Sequence, residues 1–201
     1  MASGLEELVA RLKQSKTIKS TEMEGAFLSV PREKFFPKES VDYAFVDTAF
    51  SIGPDSTISQ PTTIAMMLSL LEITPDEKVL EVGSGSGYVL ALLHKITGKE
   101  VFGIELDKEL VKSSKKTLEE LEIPAKVVVG NGKKGFPKED AFDKILVSAA
   151  CIKVPDKLFT QLKDDGLLIA PVGERVQDII VYNKKKEPIF QIGTFVFVTL
   201  R

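Results

Sequence analysis

Three glycines at alternate positions, Gly83, Gly85 and Gly87, follow the apolar run Lys78-Val79-Leu80-Glu81-Val82. A helical pattern of Val89, Leu90, Leu92, Leu93 and Ile96 comes directly after them. Alternating glycines let a backbone turn sharply and let a ligand approach to contact distance. The helix opening there directs unpaired N–H groups into the space above the strand, a seat for an anionic group. Glu81, at the strand end, suits a cationic one. A second alternating run, Glu100-Val101-Phe102-Gly103-Ile104-Glu105, ends in a carboxylate 18 residues beyond Gly87. In β-α-β nucleotide sites an acid at this distance accepts hydrogen bonds from a ribose diol. Asp107 can cap the helix that follows, which leaves Glu105 for the ribose.

The spacing is G-x-G-x-G, with Tyr88 where a dinucleotide fingerprint has its third glycine. Preceded by Glu81, this pattern resembles the first motif of class I methyltransferases. The resemblance implies S-adenosyl-L-methionine as donor, S-adenosyl-L-homocysteine as product, and no metal. Glu81 would meet the ammonium of the donor's methionine end, and the turn Gly83-Ser84-Gly85-Ser86-Gly87 its carboxylate. Glu105 and Leu106 would hold the nucleoside.

Those strands and helices must be carried by a chain of 201 residues and 22.1 kDa, enough for one well-buried domain. We expect residues 1–60 to form N-terminal helices and a substrate and cofactor loop, and residues 61–201 a Rossmann-like core. Apolar residues recur at helical spacing over 5–14 and 20–29, and Pro31 ends the second helix. Residues 31–60 show little periodicity, and a loop of that length suggests function. Pro61 can open a helix reaching Leu71. Strands fit near 78–82, 100–105, 126–129 and 143–148, helices near 87–96 and 107–121, and a short helix from Pro155 to Leu162. Asp165-Gly166 reads as a turn before a fifth strand, Leu167–Ala170. Asp178–Tyr182 and Ile189–Thr199 read as an antiparallel hairpin about Lys184-Lys185-Lys186. Strands alternating with helices predict an α/β fold, a doubly wound, mostly parallel sheet with an antiparallel C-terminal edge and an N-terminal helical cap.

Composition narrows the function. The net charge is −2, with both signs interleaved and no basic stripe, which argues against nucleic acid as a partner. A single cysteine allows no internal disulfide and fits a reducing cytoplasm. Residues 1–20 are amphipathic and charged, unlike a leader, and no apolar run is long enough for a membrane span. One histidine and one cysteine exclude ordinary zinc sites and argue against a Ser-His-Asp hydrolase. His94 reads as a helix-face residue, and Cys151 as a small buried hydrophobe.

Substrate choice must be read outside the glycine turn. The chain offers Ser51-Ile52-Gly53, Ser56-Thr57-Ile58-Ser59-Gln60-Pro61, and upstream Val30-Pro31-Arg32-Glu33-Lys34-Phe35. With Val129-Gly130-Asn131-Gly132, Val147-Ser148-Ala149-Ala150 and Pro171-Val172-Gly173-Glu174, these resemble the protein-L-isoaspartate O-methyltransferases, over nearly the whole chain. The resemblance implies methyl esterification of the free carboxyl of L-isoaspartyl residues in damaged proteins and peptides, with acceptance of D-aspartyl residues left open. That acceptor is an α-carboxylate already ionised at neutral pH and needs no general base. Catalysis then rests on alignment and exclusion of water. The resemblance gives Ser59 the active-site role and puts Ser56, Thr57 and Ile58 in the same pocket. It also puts Asn131 and Gly132 at the adenine, where relatives carry Asp-Gly. A protein of this kind is expected to be cytoplasmic and monomeric, and to take protein rather than nucleic acid or membrane partners.

Two departures bear on the acceptor. The sequence ends at Phe197-Val198-Thr199-Leu200-Arg201, where relatives continue, and this is expected to alter substrate preference more than chemistry. Cys151-Ile152 stands where relatives carry Pro or a small residue and is expected to border the substrate. The alternatives are a methyltransferase with a small-molecule or RNA acceptor, and a cofactor-binding relative without turnover. A nicotinamide dehydrogenase is the weakest, since Tyr88 replaces the third glycine.

Overall fold

In the computed structural model, which describes residues 4–201, the helical spacing near the start gives α1 (Gly4–Gln14) and α2 (Thr21–Ser29). The Ser20 hydroxyl caps α2 by accepting from the Met23 N–H at 3.1 Å. Extended backbone at Val30, the residue before Pro31, stops it.

The aperiodic stretch from Pro31 to Gln60 is more ordered than its sequence suggests. It holds two 3-10 segments, Arg32–Phe35 and Lys38–Tyr43, and then a hairpin of β1 (Phe50–Gly53) and β2 (Ser56–Ile58). Strands this short give too few residues for an alternating pattern to register. As expected from Pro61, α3 (Pro61–Leu71) follows at once.

The core then alternates: β3 (Val79–Val82), α4 (Tyr88–Thr97), β4 (Val101–Glu105), α5 (Lys108–Glu120), β5 (Ala125–Val129), β6 (Phe142–Val147), α6 (Asp156–Gln161), β7 (Leu162–Val172), β8 (Gln177–Asn183) and β9 (Pro188–Phe195). The sheet order is β5-β4-β3-β6-β7-β8-β9. The first five strands in that order are parallel, and β8 and β9 form the antiparallel edge. The fold is therefore the doubly wound sheet predicted.

Two strand boundaries differ from expectation. Asp165-Gly166 is not a turn, because β7 runs through it. The register passes from Leu162 to Leu167 on β7 while β6 advances only from Phe142 to Lys144, and a bulge absorbs the difference. At the other end β9 stops at Phe195, short of Thr199. The chain beyond it turns back to Ala150, whose N–H donates to Val198 O and whose carbonyl accepts from Leu200 N–H, both at 2.7 Å.

Alternate residues of β3 face opposite layers. Val79 joins the core formed with α1 to α5, while Leu80 and Val82 join Phe102, Phe136 and Phe142 beneath α6. The first layer is pressed hardest at Gly103 in β4. A Cβ there would lie 2.7 Å from Leu90 Cδ1 on α4 and 3.0 Å from Ser84 Oγ in the glycine turn. Gly103→Ala is expected to lower unfolding free energy by about 1–3 kcal/mol through overpacking, read as a shift in urea midpoint at unchanged slope.

Candidate active site

β3 has β4 on one side and β6 on the other, so the winding direction changes at its carboxyl end. In open α/β sheets this is where a crevice opens for ligands. Here the cleft holds about 790 Å³, open mouth included, a size suited to a nucleoside-bearing ligand. The glycine turn lies on one side of it and β2 with the Ser59 loop on another. Of the residues expected in the site, Ser56, Thr57, Ile58, Ser59, Glu81, Gly83, Ser84, Gly85, Ser86, Glu105, Leu106 and Gly132 all line the cleft.

Gly87 and Asn131 are not among the lining residues. Gly87 caps α4 with its own backbone at φ +87°, donating its N–H to Ser84 O at 2.9 Å. The Asn131 side-chain oxygen accepts from Lys133 N–H at 2.9 Å and caps a short 3-10 turn, while Gly130 and Gly132 on either side face the cleft.

Glu105 does more than its position in the sequence suggests. One carboxylate oxygen accepts from Gly85 N–H at 2.9 Å, and the other from Leu106 and Asp107 N–H at 2.6 and 3.0 Å. Gly85 stands at φ +50°, a left-handed backbone that favours glycine, and Glu105 fixes it there. Asp107 caps α5 as expected, accepting from Glu109 and Leu110 N–H. A carboxylate offers about four lone-pair sites, so Glu105 can still accept a bond from a ligand hydroxyl.

Glu81 is buried at the floor. One oxygen accepts from the Ser148 hydroxyl at 2.7 Å, across the line where the winding direction changes. The other oxygen is buried and has no hydrogen-bond partner. Burial pushes the Glu81 carboxyl up to about 8, the negative charge of Glu105 adding to the rise and the Ser148 hydrogen bond opposing it. An unpartnered buried acid facing the cleft fits a ligand ammonium, whose charge would restore the carboxylate form. The buried Ser84 hydroxyl beside it also lacks a partner.

The Ser59 side of the cleft is held by residues whose roles the sequence does not announce. The Arg32 side chain is fully buried, its Nε donating to Ala44 O and its Nη2 to Ser59 O, both at 2.9 Å. Gln60 stands at the cap position of α3, but its side chain does not cap the helix. Asp47 does so from upstream, accepting from Thr62 N–H at 2.9 Å and from the Thr62 hydroxyl at 2.6 Å. The closing segment also joins the site, for Val198, Thr199, Leu200 and Arg201 line the cleft. Arg201 meets Asp55, at the β1–β2 turn, at 3.1 Å. An acidic residue at a turn and a run with no periodicity carry no sequence signal for such a meeting.

A family model described as protein-L-isoaspartate(D-aspartate) O-methyltransferase matches residues 3–200. The chain belongs to that family. It is 41% identical over 201 residues to a protein-L-isoaspartate O-methyltransferase of Christiangramia forsetii, covering 98% of this chain and 94% of the relative. The identity to the enzyme of that name from Methanococcus aeolicus is 38%, over 98% and 93%. The fold also superposes on the crystal structure of a Plasmodium falciparum protein of the same description, in complex with S-adenosyl-L-homocysteine. The TM-score is 0.87 at 26% identity, over 100% of this chain and 99% of that one.

Other candidate groups of this methyltransferase-family chain lie off the cleft. His94 Nδ1 is 2.8 Å from Lys99 O at the end of α4. Cys151 is buried, and burial pushes its thiol up to about 11, so it is no nucleophile at neutral pH. Ile152 is 74% exposed, and neither it nor Cys151 lines the cleft, so the expected border with the substrate is not met in the cleft itself. Among the described residues no cluster of His, Cys, Asp or Glu could hold a metal ion, and no helix is long and apolar enough to cross a membrane.

Glu81 makes stability depend on pH. Its folded value of about 8 lies above its ordinary value of 4.5, so the folded state keeps a proton that the unfolded chain releases. Stability contributed by this group is present below pH 4.5 and lost as pH rises to 8, by about 1.4 kcal/mol per pH unit at most. Glu81→Gln should therefore melt several degrees above wild type at pH 8, the gap closing towards pH 5, in thermal scans across that range. The same variant should bind S-adenosyl-L-homocysteine more weakly, since a neutral amide replaces an acid that faces the cleft. Glu105→Ala is expected to weaken that ligand by about tenfold or more in calorimetry, because an acid lining the cleft and the clasp on Gly85 go together. Asp107→Ala should lose only helix capping, about 1 kcal/mol of stability, with affinity kept.

Proposed function

We propose that this protein transfers the methyl group of S-adenosyl-L-methionine to the free carboxyl of L-isoaspartyl residues in damaged proteins and peptides, with D-aspartyl residues as a second acceptor. The observation that carries the reading is that Ser56 to Ser59 share one cleft with the glycine turn, Glu81 and Glu105. Family membership agrees with it.

In this reading Glu81 accepts the donor's ammonium, the backbone of the glycine turn meets its carboxylate, and Glu105 meets its ribose. Gly130 to Gly132 border the adenine. The bound donor supplies an electrophilic methyl carbon. The acceptor is an anion at neutral pH, so no residue is asked to remove a proton. Ser59 grips it by a hydroxyl hydrogen bond, which fixes direction without quenching the oxygen as a cation would. Rate comes from alignment and from shutting water out of the cleft. The neighbouring backbone nitrogen then displaces methanol from the ester, closing a succinimide that water reopens partly to normal aspartate. The whole chain acts as one catalytic unit in the cytoplasm, as a monomer whose partners are damaged polypeptides.

The test supplies methyl-labelled donor with matched isoaspartyl and aspartyl peptides. Base-labile label on the isoaspartyl peptide alone is expected, and equal labelling of both, or of neither, overturns the reading. Ser59→Ala should cut turnover by roughly 100-fold or more, as for loss of one positioned donor, with the affinity for S-adenosyl-L-homocysteine within about twofold of wild type.

A further inference from the structure

A buried arginine keeps its charge and ordinarily pairs with an acid, yet no ion pair with Arg32 occurs among the described residues, and its Nη1 is buried without a hydrogen-bond partner. Its guanidinium instead sits between two rings, 4.6 Å from the centroid of Tyr88 and 5.3 Å from that of Phe36. From that seat it donates in two directions, to Ala44 O and to Ser59 O. Tyr88 is the first residue of α4 after the glycine turn and itself lines the cleft. Phe36 packs on Phe50 of the β1–β2 hairpin at 5.6 Å. One planar cation therefore touches the helix that follows the glycine turn and the peptide carrying Ser59, and through Phe36 it is linked to the hairpin that walls the cleft. A fixed fork can hold two carbonyls at a set angle, which a lysine's single rotating ammonium cannot.

We infer that Arg32 is a positioning residue for the methyl transfer: seated on Tyr88, it fixes the Ser59 carbonyl and hence the direction of the Ser59 hydroxyl relative to the donor. The inference rests on the role of Ser59 given above. It assigns Arg32 no contact with either substrate. A displacement of the serine by a fraction of an ångström would slow transfer while leaving the donor's own holds untouched.

The experiment is a double-mutant cycle on the full-length protein, with isoaspartyl peptide and saturating donor. Arg32→Lys should lower kcat by about tenfold or more, with the affinity for S-adenosyl-L-homocysteine within about twofold. In the Ser59→Ala background the same change should cost less than about twofold, since nothing remains to be aimed. Phe36→Leu nearly conserves volume and loosens the seat. It should lower kcat by about two- to threefold, again only when Ser59 is present, and it serves if Arg32→Lys does not fold. A full extra loss in the Ser59→Ala background overturns the inference. So does wild-type kcat in the folded Arg32→Lys protein (or in Phe36→Leu, should Arg32→Lys not fold), or a loss of ligand affinity equal to the loss of rate. Undiminished turnover in Ser59→Ala alone overturns the reading of Ser59 and this inference with it, whereas additive losses overturn this inference only.

Discussion

Where β3 has neighbours wound in opposite directions, no helix covers the strand ends, and the sheet leaves a crevice lined by its own polar termini. Most of the site follows from that geometry. Glu81 reaches the crevice from β3 and Ser148 from the end of β6, and their hydrogen bond ties the two sides together. The second Glu81 oxygen lies buried without a partner. Leaving it so is costly, and burial answers by raising the carboxyl to about 8. A site that holds its acid protonated until a cation arrives couples ligand binding to release of a proton. The fold thereby avoids a buried bare charge while keeping an acid that can pair with an incoming cation.

The two halves of the cleft are held by opposite means. On the donor side a carboxylate gathers N–H groups: Glu105 takes those of Gly85, Leu106 and Asp107, and so fixes a left-handed turn that would otherwise sample other shapes. On the acceptor side a guanidinium gathers carbonyls, those of Ala44 and Ser59. Each charge is met by backbone rather than by an oppositely charged side chain, although the Arg32 Nη1 is left without a partner, and each thereby constrains a loop. Loops are ordinarily less precise supports than helices and strands, and such anchors narrow that difference. Tyr88, packed on Phe27, Phe35 and the Arg32 guanidinium, joins the halves. It is also the residue that breaks the dinucleotide spacing. In its place a glycine would leave the guanidinium without a floor.

What could be read in advance follows from where the signal is local. Strands β3 to β6 and helices α3 to α5 were legible because each is set by its own apolar period and by nearby caps such as Asp107 and Pro61. The cleft residues from Glu81 to Leu106 were legible because strand, turn and helix fix them within a few residues of each other. The β1–β2 hairpin was not, since neither Phe50-Ser51-Ile52-Gly53 nor Ser56-Thr57-Ile58 is the mainly apolar run that marks a buried strand such as β3. The bulge in β7 was not, because Asp165-Gly166 has turn composition and only the pairing with β6 keeps it extended. Arg32, Asp47 and the segment from Val198 to Arg201 act across a dozen to more than a hundred residues, with partners that are mostly backbone groups. Backbone partners leave no pattern of residue types to search for.

Asn131 shows how a substitution can be absorbed. The position caps a 3-10 turn through a side-chain oxygen, and an amide does this as well as a carboxylate. The oxygen keeps a second lone pair, so capping does not by itself bar it from a ligand amino group. Charge is the difference. The cleft already carries Glu81 and Glu105, and the charge of the second is one cause of the raised value of the first. A third acid at the far end of β5 would push the same way, although more weakly with distance and solvent. A neutral residue there removes some attraction for the cationic donor and some repulsion among the acids. These changes oppose one another, so the exchange alters affinity less than the loss of a charge suggests, and it leaves the turn that carries Gly132 in place.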